Sequence, residues 1–295
     1  MKKLRLITAA VLITALLAGC GETDSSSESG AQNTAENSSA ESVQESASES
    51  ESSEEEKAPA YKSIKLMTAG DSITDGFWLE GGYRVFLANE LEENGLSQYV
   101  DFVGSKSSGQ CYDNEHEGYT GNSISRIEDS ITGTRMGIDK LVPKRIDKFQ
   151  PDVLTIMIGT NDILSHYELD KAGERLEGLV DSCFEKLPEG ARIYLATIPD
   201  MDADAKIPNA GSDYDTYIDQ ETFTAEYMDE CVKNYNEQVK AVVEKKQGEG
   251  RNIELADVHG VLGKEDLYDG VHPSEEGYKK IADYWYGVIT EYITE

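Results

Sequence analysis

Val153-Leu154-Thr155-Ile156-Met157-Ile158, running straight into Gly159-Thr160-Asn161-Asp162, is the stretch that sets the architecture of this chain. Thr155 is the one polar residue in its apolar part. A strand with one wet face alternates apolar and polar residues. A run this uniformly apolar belongs to a strand covered on both faces, as in a parallel sheet packed between helices. It has strand length rather than helix length, and Gly-x-Asn-Asp is turn chemistry that ends it. Working outward, four more short β-rich runs stand out: Ile64–Ala69, Val100–Gly104, Arg192–Ile198 and Ile253–Asp257. Helical patterns lie between them. Over 171–187, Ala172, Leu176, Leu179, Val180, Cys183, Phe184 and Leu187 fall on one helical stripe. Phe223, Tyr227, Cys231, Val232, Tyr235, Val239 and Val242 make a second stripe, and Tyr278, Ile281, Ala282, Trp285, Val288, Ile289 and Tyr292 a third. Strands alternating with helices predict an α/β fold: a three-layer α/β/α sandwich around a five-stranded parallel sheet. The longest stretch without periodicity is Pro199–Glu221, rich in Asp and Tyr. A loop that long inside a domain is usually functional.

The front of the chain reads differently. Lys2, Lys3 and Arg5 form a positive segment, followed by an apolar run from Leu6 to Leu17 that is too short to span a bilayer. Leu17-Ala18-Gly19-Cys20 then resembles the bacterial lipobox, in which cleavage precedes a Cys that receives a diacylglycerol. This predicts a lipoprotein signal over 1–20, lipidation at Cys20 and a location on the outer face of a bacterial membrane. Two or three acyl chains anchor a protein stably where one does not. The 37 residues from 21 to 57 hold twelve Ser and eleven acids, with no aromatic residue and Val43 as their only large aliphatic. They cannot bury enough surface to offset their ordering entropy. The reading is a disordered linker over 21–60, reaching roughly 35 Å r.m.s., ahead of a folded domain at 61–295.

Of the 295 residues, 27 are Lys or Arg and 57 are Asp or Glu, a net charge of −30. The 238 residues from 58 onward carry −23 of it. That acidity excludes nucleic-acid binding, which needs a basic footprint, and disfavours anionic lipid headgroups. Cys183 and Cys231 lie on apolar stripes and read as buried free thiols. Cys111 sits in a Gly/Ser/Asp loop. An oxidising exterior permits a disulfide, but three cysteines do not describe a disulfide framework. Asp200-x-Asp202-x-Asp204 lacks the Gly and the closing Glu of a calcium loop and reads as a solvated acidic loop.

Three small constellations fall at the C-terminal ends of predicted strands, the edge where open α/β sheets bind ligands. Gly70-Asp71-Ser72, after the first strand, presents a hydroxyl and its own backbone N–H at a tight turn, which suits a nucleophile. A lone Gly-Asp-Ser is more often a plain turn. Gly159-Thr160-Asn161-Asp162 places an amide N–H₂ where a developing oxyanion can be met. Asp269-Gly270-Val271-His272-Pro273 precedes the last helical stripe. Pro273 suits a first helical turn, and Asp269 can bond one nitrogen of His272 and leave the other free as a base. His116, His166 and His259 have no comparable partner spacing. At average residue frequencies the three motifs in this order arise by chance on the order of once in ten thousand sequences.

Together these residues resemble the SGNH, or GDSL-type, hydrolases. Ser72 matches the first block, Asn161 the third, and Asp269 with His272 the last. In the loop after the second strand, His116-Glu117-Gly118-Tyr119-Thr120-Gly121 is similar to the His-Glu-Gly-x-Ser-Gly stretch of carbohydrate esterase family 3, with Thr120 in place of Ser. The resemblance extends to Gly81-Gly82-Tyr83-Arg84 and Val100-Asp101-Phe102-Val103-Gly104-Ser105, and covers 62–293. One departure is Asn122, where an aromatic residue often follows the second-block Gly. The resemblance implies a flavodoxin-like SGNH hydrolase fold and a serine esterase of the acetyl xylan esterase kind. Ser72 is then nucleophile, His272 base and Asp269 its orienting partner. Ser72, Gly121 and Asn161 form the oxyanion hole, and no metal or cofactor is used. The expected substrate is an acetylated polysaccharide or oligosaccharide, and the expected state a monomer. The alternatives are a general short-chain esterase, lysophospholipase or thioesterase on the same fold, and an inactive glycan-binding surface lipoprotein. The intact set of Ser72, Asn161, Asp269 and His272 speaks against the last.

Overall fold

The computed structural model describes residues 60–128, 130–208 and 216–295. The signal, Cys20 and all but the last residue of the linker lie outside the described residues. Among the described residues no helix is long and apolar enough to cross a membrane.

Among the described residues seven strands form one sheet: β1 (Ile64–Gly70), β2 (Val100–Phe102), β3 (Lys106–Ser107), β4 (Glu115–Gly118), β5 (Val153–Met157), β6 (Arg192–Ala196) and β7 (Ile253–Ala256). The five expected strands run parallel as β2-β1-β5-β6-β7. β5 is buried along its whole length, as its composition requires. The expectation of five strands needs one correction. The chain leaves the sheet after Phe102, turns back on itself in the antiparallel β3/β4 pair, and re-enters with β4 beside the C-terminal half of β1. β2 covers Ile64–Leu66, and β4 covers Ala69 and Gly70. His116-Glu117-Gly118 is therefore strand, not loop. Its polar pattern hid it, because His116 and Glu117 are buried by hydrogen bonding rather than by apolarity.

The helices are α1 (Ser72–Asp75), α2 (Tyr83–Glu93), α3 (Val142–Phe149), α4 (Thr160–Leu164), α5 (Ala172–Phe184), α6 (Ala225–Gly248) and α7 (Glu275–Thr294). α2 packs with α7, and α5 packs with both α3 and α6. The three predicted stripes become α5, α6 and α7, with Leu176, Leu179, Val180, Val232, Val239, Ile281 and Trp285 in the core. Pro273 is not in the first turn of α7. The helix begins two residues later, because Ser274 takes the N-cap and its Oγ accepts from the Gly277 N–H at 3.1 Å. The Pro273 carbonyl is then free to accept from Trp78 Nε1 at 2.7 Å. Cys183 and Cys231 are buried free thiols, and Cys111 is a half-buried one.

The sheet's C-terminal edge is built around close backbone approach. Gly70 pairs with Gly118 on one side and Met157 on the other. A Cβ on Gly70 would stand 2.4 Å from the Met157 carbonyl oxygen, and one on Gly118 would stand 2.5 Å from the Asp75 nitrogen. Gly159 has φ +128°, and a Cβ there would overlap the Tyr235 ring at 2.2 Å. That ring is held by a hydrogen bond from its hydroxyl to the Ile158 carbonyl.

Candidate active site

Ser72 opens α1 immediately after β1. Asp71 caps this short helix, its Oδ1 accepting from the Ile73 N–H at 3.0 Å. His272 Nε2 lies 2.9 Å from Ser72 Oγ, and His272 Nδ1 lies 2.8 Å from Asp269 Oδ2. Asp269 is fixed in turn. Its Oδ1 accepts from the backbone N–H groups of Val271, at 3.0 Å, and His272, at 2.7 Å. The carboxylate oxygen facing Nδ1 accepts only, so Nδ1 carries the proton and Nε2 is the lone-pair nitrogen turned to the hydroxyl. The turn holding this pair is buttressed by the acidic loop. The Asp202 N–H donates to the Gly270 carbonyl at 2.8 Å, and a Cβ on Gly270 would meet the Asp202 carbonyl oxygen at 2.5 Å. Asp200 is paired with His259 at 3.0 Å. The Asp-rich run thus has a packing role beyond the solvated one that its composition suggests.

Gly121 and Asn161 line the same cleft as Ser72 and His272. Their placement follows from a buried polar network. Arg84, 2% exposed, donates to the Thr74 carbonyl at 2.7 Å and the Asp75 carbonyl at 3.3 Å, closing the C-terminal end of α1. The same guanidinium reaches Ser108 Oγ at 2.8 Å and so ties α1 to the β3/β4 excursion. Asp75 accepts from Lys106 Nζ at 2.8 Å and from the Thr120 hydroxyl, and Lys106 also donates to the Gly118 carbonyl. The loop carrying Gly121 is thereby fastened to the helix carrying Ser72. His116 belongs to this scaffold. Burial and the Arg84 charge push its pKa down to about 3, so it is neutral. Its Nδ1 accepts from the Gly118 N–H at 3.0 Å, which leaves Nε2 to donate to Ser108 Oγ at 2.9 Å.

Asn161 is oriented from both ends of its amide. Nδ2 donates to the Asn122 carbonyl at 2.8 Å, and Oδ1 accepts from Arg135 Nη1 at 2.8 Å. One N–H of the amide is left over for the cleft it lines. Neighbouring Asp162 faces away from that cleft's chemistry. Its carboxylate accepts from the Ile124 N–H at 3.0 Å and pairs with Arg175 at 3.1 Å. Arg135 is the residue that motif reading missed. Nη1 also reaches the Gly121 carbonyl at 3.2 Å, and Nε bonds Ser165 Oγ at 2.7 Å and Thr132 Oγ1 at 3.0 Å. One guanidinium therefore joins two of the three expected oxyanion donors. Nothing in the aperiodic segment around it signals this.

Among the described residues the rest of the cleft wall is Phe77, Thr120, Leu164, Tyr217 and Val271, around a volume of about 150 Å³. Tyr217 comes from the 199–221 loop, whose residues 209–215 lie outside the described ones. Such an arrangement can generate an alkoxide at Ser72, hold a tetrahedral oxyanion, and return a proton to a departing group. The donor set offers no cluster for a metal: among the described residues no three His, Cys, Asp or Glu side chains converge to hold one.

Two predictions follow from this geometry. Arg135→Gln should lower kcat by about tenfold to a hundredfold with KM within about threefold, because it loosens a donor that acts on the transition state. Steady-state kinetics on a simple acetyl ester reads this, and a rise in KM alone would place Arg135 in ground-state binding. Asp71 concerns stability. Burial raises its carboxyl to about 6, against the Ile73 hydrogen bond and the His272 charge, which both lower it. The folded state thus holds this proton more tightly than the unfolded chain. Stability is lost as pH rises through about 6. The Tm difference between Asp71→Asn and wild type should shift in the variant's favour by several degrees from pH 4 to pH 8. A constant difference across that range would contradict the assignment.

The family described as GDSL-like Lipase/Acylhydrolase matches residues 66–285. The chain is 34% identical over 244 residues to a multidomain esterase of Ruminococcus flavefaciens, covering 78% of this chain and 29% of that much longer protein. Among solved structures it is similar to a Clostridium thermocellum family 3 carbohydrate esterase, with 27% identity, a TM-score of 0.57, and coverage of 79% of this chain and 98% of that one. A carbohydrate esterase family 3 structure from Talaromyces cellulolyticus shares the fold at 21% identity and a TM-score of 0.58, covering 78% of this chain and 98% of that one. The chain belongs to the GDSL-like lipase/acylhydrolase family.

Proposed function

We propose that this protein is a cell-surface serine esterase that removes acetyl or other short acyl groups from a polysaccharide such as xylan. The observation that carries the reading is the unbroken relay from Asp269 through His272 to Ser72, closing at one end of a cleft that Gly121 and Asn161 also line. In the reaction, Ser72 Oγ attacks the ester carbonyl as its proton passes to His272 Nε2. The carbonyl oxygen becomes an oxyanion held by the N–H groups of Ser72, Gly121 and Asn161. The acyl–oxygen bond to the alcohol breaks, and the Nε2 proton goes to the leaving oxygen. Water then attacks the acyl-enzyme by the same relay and releases the acid. Asp269 holds the tautomer and stabilises the imidazolium. The full chain is anchored through a lipid at Cys20, and loss of palmitate labelling in Cys20→Ser tests that anchor.

Short acyl groups are favoured by size. The cleft of about 150 Å³ is well below the roughly 300–1,000 Å³ of pockets that enclose drug-sized ligands. A lipase gains about 0.8 kcal/mol for each chain CH₂ it buries, so its kcat/KM climbs with chain length. Here p-nitrophenyl acetate should exceed the butyrate, and the octanoate should be nearly inert. A maximum at octanoate would favour the lipolytic reading while leaving Ser72, Asn161 and His272 in their roles. Acetate release from acetylated xylan, glucomannan, chitin oligomers and pectin, measured side by side, identifies the polymer.

A further inference from the structure

The relay fixes where the leaving alcohol must be. Its oxygen has to come within hydrogen-bond reach of His272 Nε2 to receive the proton, so the alcohol lies on the imidazole side of Ser72. Two aromatic rings occupy that side. Phe77 lies with its centroid 4.8 Å from that of the imidazole at an interplanar angle of 30°. Tyr217 meets the imidazole edge-on at 5.4 Å, and the two aromatic rings meet each other at 6.2 Å and 83°. Together they form a corner rather than a channel.

Both rings are open to solvent, Phe77 at 46% and Tyr217 at 43% exposure. Most large apolar side chains described here are buried, so two exposed rings touching one imidazole are not explained by packing. Phe77 is also pre-positioned. Its N–H donates to the Ser72 carbonyl at 3.1 Å. Its neighbour Trp78 stacks on Tyr268 at 4.2 Å and donates to the Pro273 carbonyl, which ties the turn to the segment carrying His272. Among the described residues, the lining of the cleft carries Arg135 as its one Lys or Arg and has no carboxylate, in a chain of net charge −30. A neutral ligand with one apolar face and a hydroxylated edge fits this corner. A flexible acyl chain gains little from two rings set nearly at right angles.

We propose that Phe77 and Tyr217 form the leaving-group subsite, and that its occupant is the pyranose ring bearing the ester, its C–H face on Phe77 and its edge against Tyr217. The proposal rests on the esterase reading and names the site at which that reading meets sugar. In the acylation step the acyl carbon gains a bond to Ser72 Oγ and loses its bond to the sugar oxygen, and that oxygen takes the proton from His272 Nε2. The free hydroxyl leaves from the aromatic corner.

The test compares an acetylated xylo-oligosaccharide with methyl acetate, whose leaving alcohol has no ring. The quantity read is the ratio of kcat/KM values for the two substrates, which cancels any effect of Phe77 on the imidazole itself. Phe77→Ala and Tyr217→Ala should each lower the ratio by about tenfold, chiefly through KM for the oligosaccharide. Phe77→Tyr should restore it, because the ring face is kept. Both positions are half-exposed, and Phe77→Leu serves as a second truncation should Phe77→Ala lose its circular-dichroism spectrum. If the wild-type protein deacetylates the oligosaccharide and neither truncation moves the ratio, the subsite is overturned and the esterase reading stands. Turnover of methyl acetate with no action on any acetylated saccharide would overturn the subsite and the saccharide reading together.

Discussion

The register of one strand governs the site. Gly70, at the end of β1, pairs with Gly118 of β4 and Met157 of β5. Ser72 follows the first of these strand ends, Gly121 the second and Asn161 the third. Because β-sheet side chains alternate, slipping any one of these pairings by a single residue would turn its whole face inside out and break the cleft. The register is enforced where a Cβ cannot fit, since Gly70 and Gly118 leave no room for one beside Met157 and Asp75. The three donors then arrive at one edge from three tight turns, with no long loop needed to carry them.

Charge is handled in two separate layers. Beneath α1, Arg84 closes the C-terminal end of the short helix and shares Ser108 with the neutral His116, while Lys106 pairs with Asp75. This network fastens the Gly121 loop to Ser72 without placing a carboxylate in the cleft. Beside it, Arg135 holds Asn161 and the Gly121 carbonyl at once. Burial lowers the pKa of its guanidinium, while the nearby Asp162 and Asp71 support the cation. A fixed cation next to the oxyanion donors is preorganised and costs no reorganisation when charge develops. Among the described residues no Asp or Glu lines the cleft where negative charge must form.

The sequence made much of this legible. Val153–Met157 declared a doubly covered strand, and short local motifs declared Ser72 and Asn161 just past strand ends and Asp269 with His272 ahead of the last helix. What stayed hidden depends on contacts far apart in the chain. β4 reads as polar, and its burial is visible only once Glu117 meets Ser105 and His116 meets Ser108. Arg135 sits 26 residues from Asn161 in a segment with no period. Tyr217 lies in a loop whose length marked it as functional, but its Asp- and Tyr-rich composition does not say which ring reaches His272. Phe77 follows the nucleophile turn closely, but an exposed Phe gives no sign of which ring it will cover. Pro273 misled for a different reason: a Pro can occupy the first helical turn, yet Ser274 one residue later is the better cap.

The central claim is that Ser72 carries the acyl group between the two halves of the reaction. Acid quenching during turnover of an acetyl ester, followed by peptide mass spectrometry, tests it directly. The account predicts one added acetyl group on the peptide containing Ser72, chased off by water and absent in Ser72→Ala, which should also lose about a thousandfold or more of turnover. Steady turnover with no acetyl on that peptide, or an acetyl group on a different residue, would contradict it.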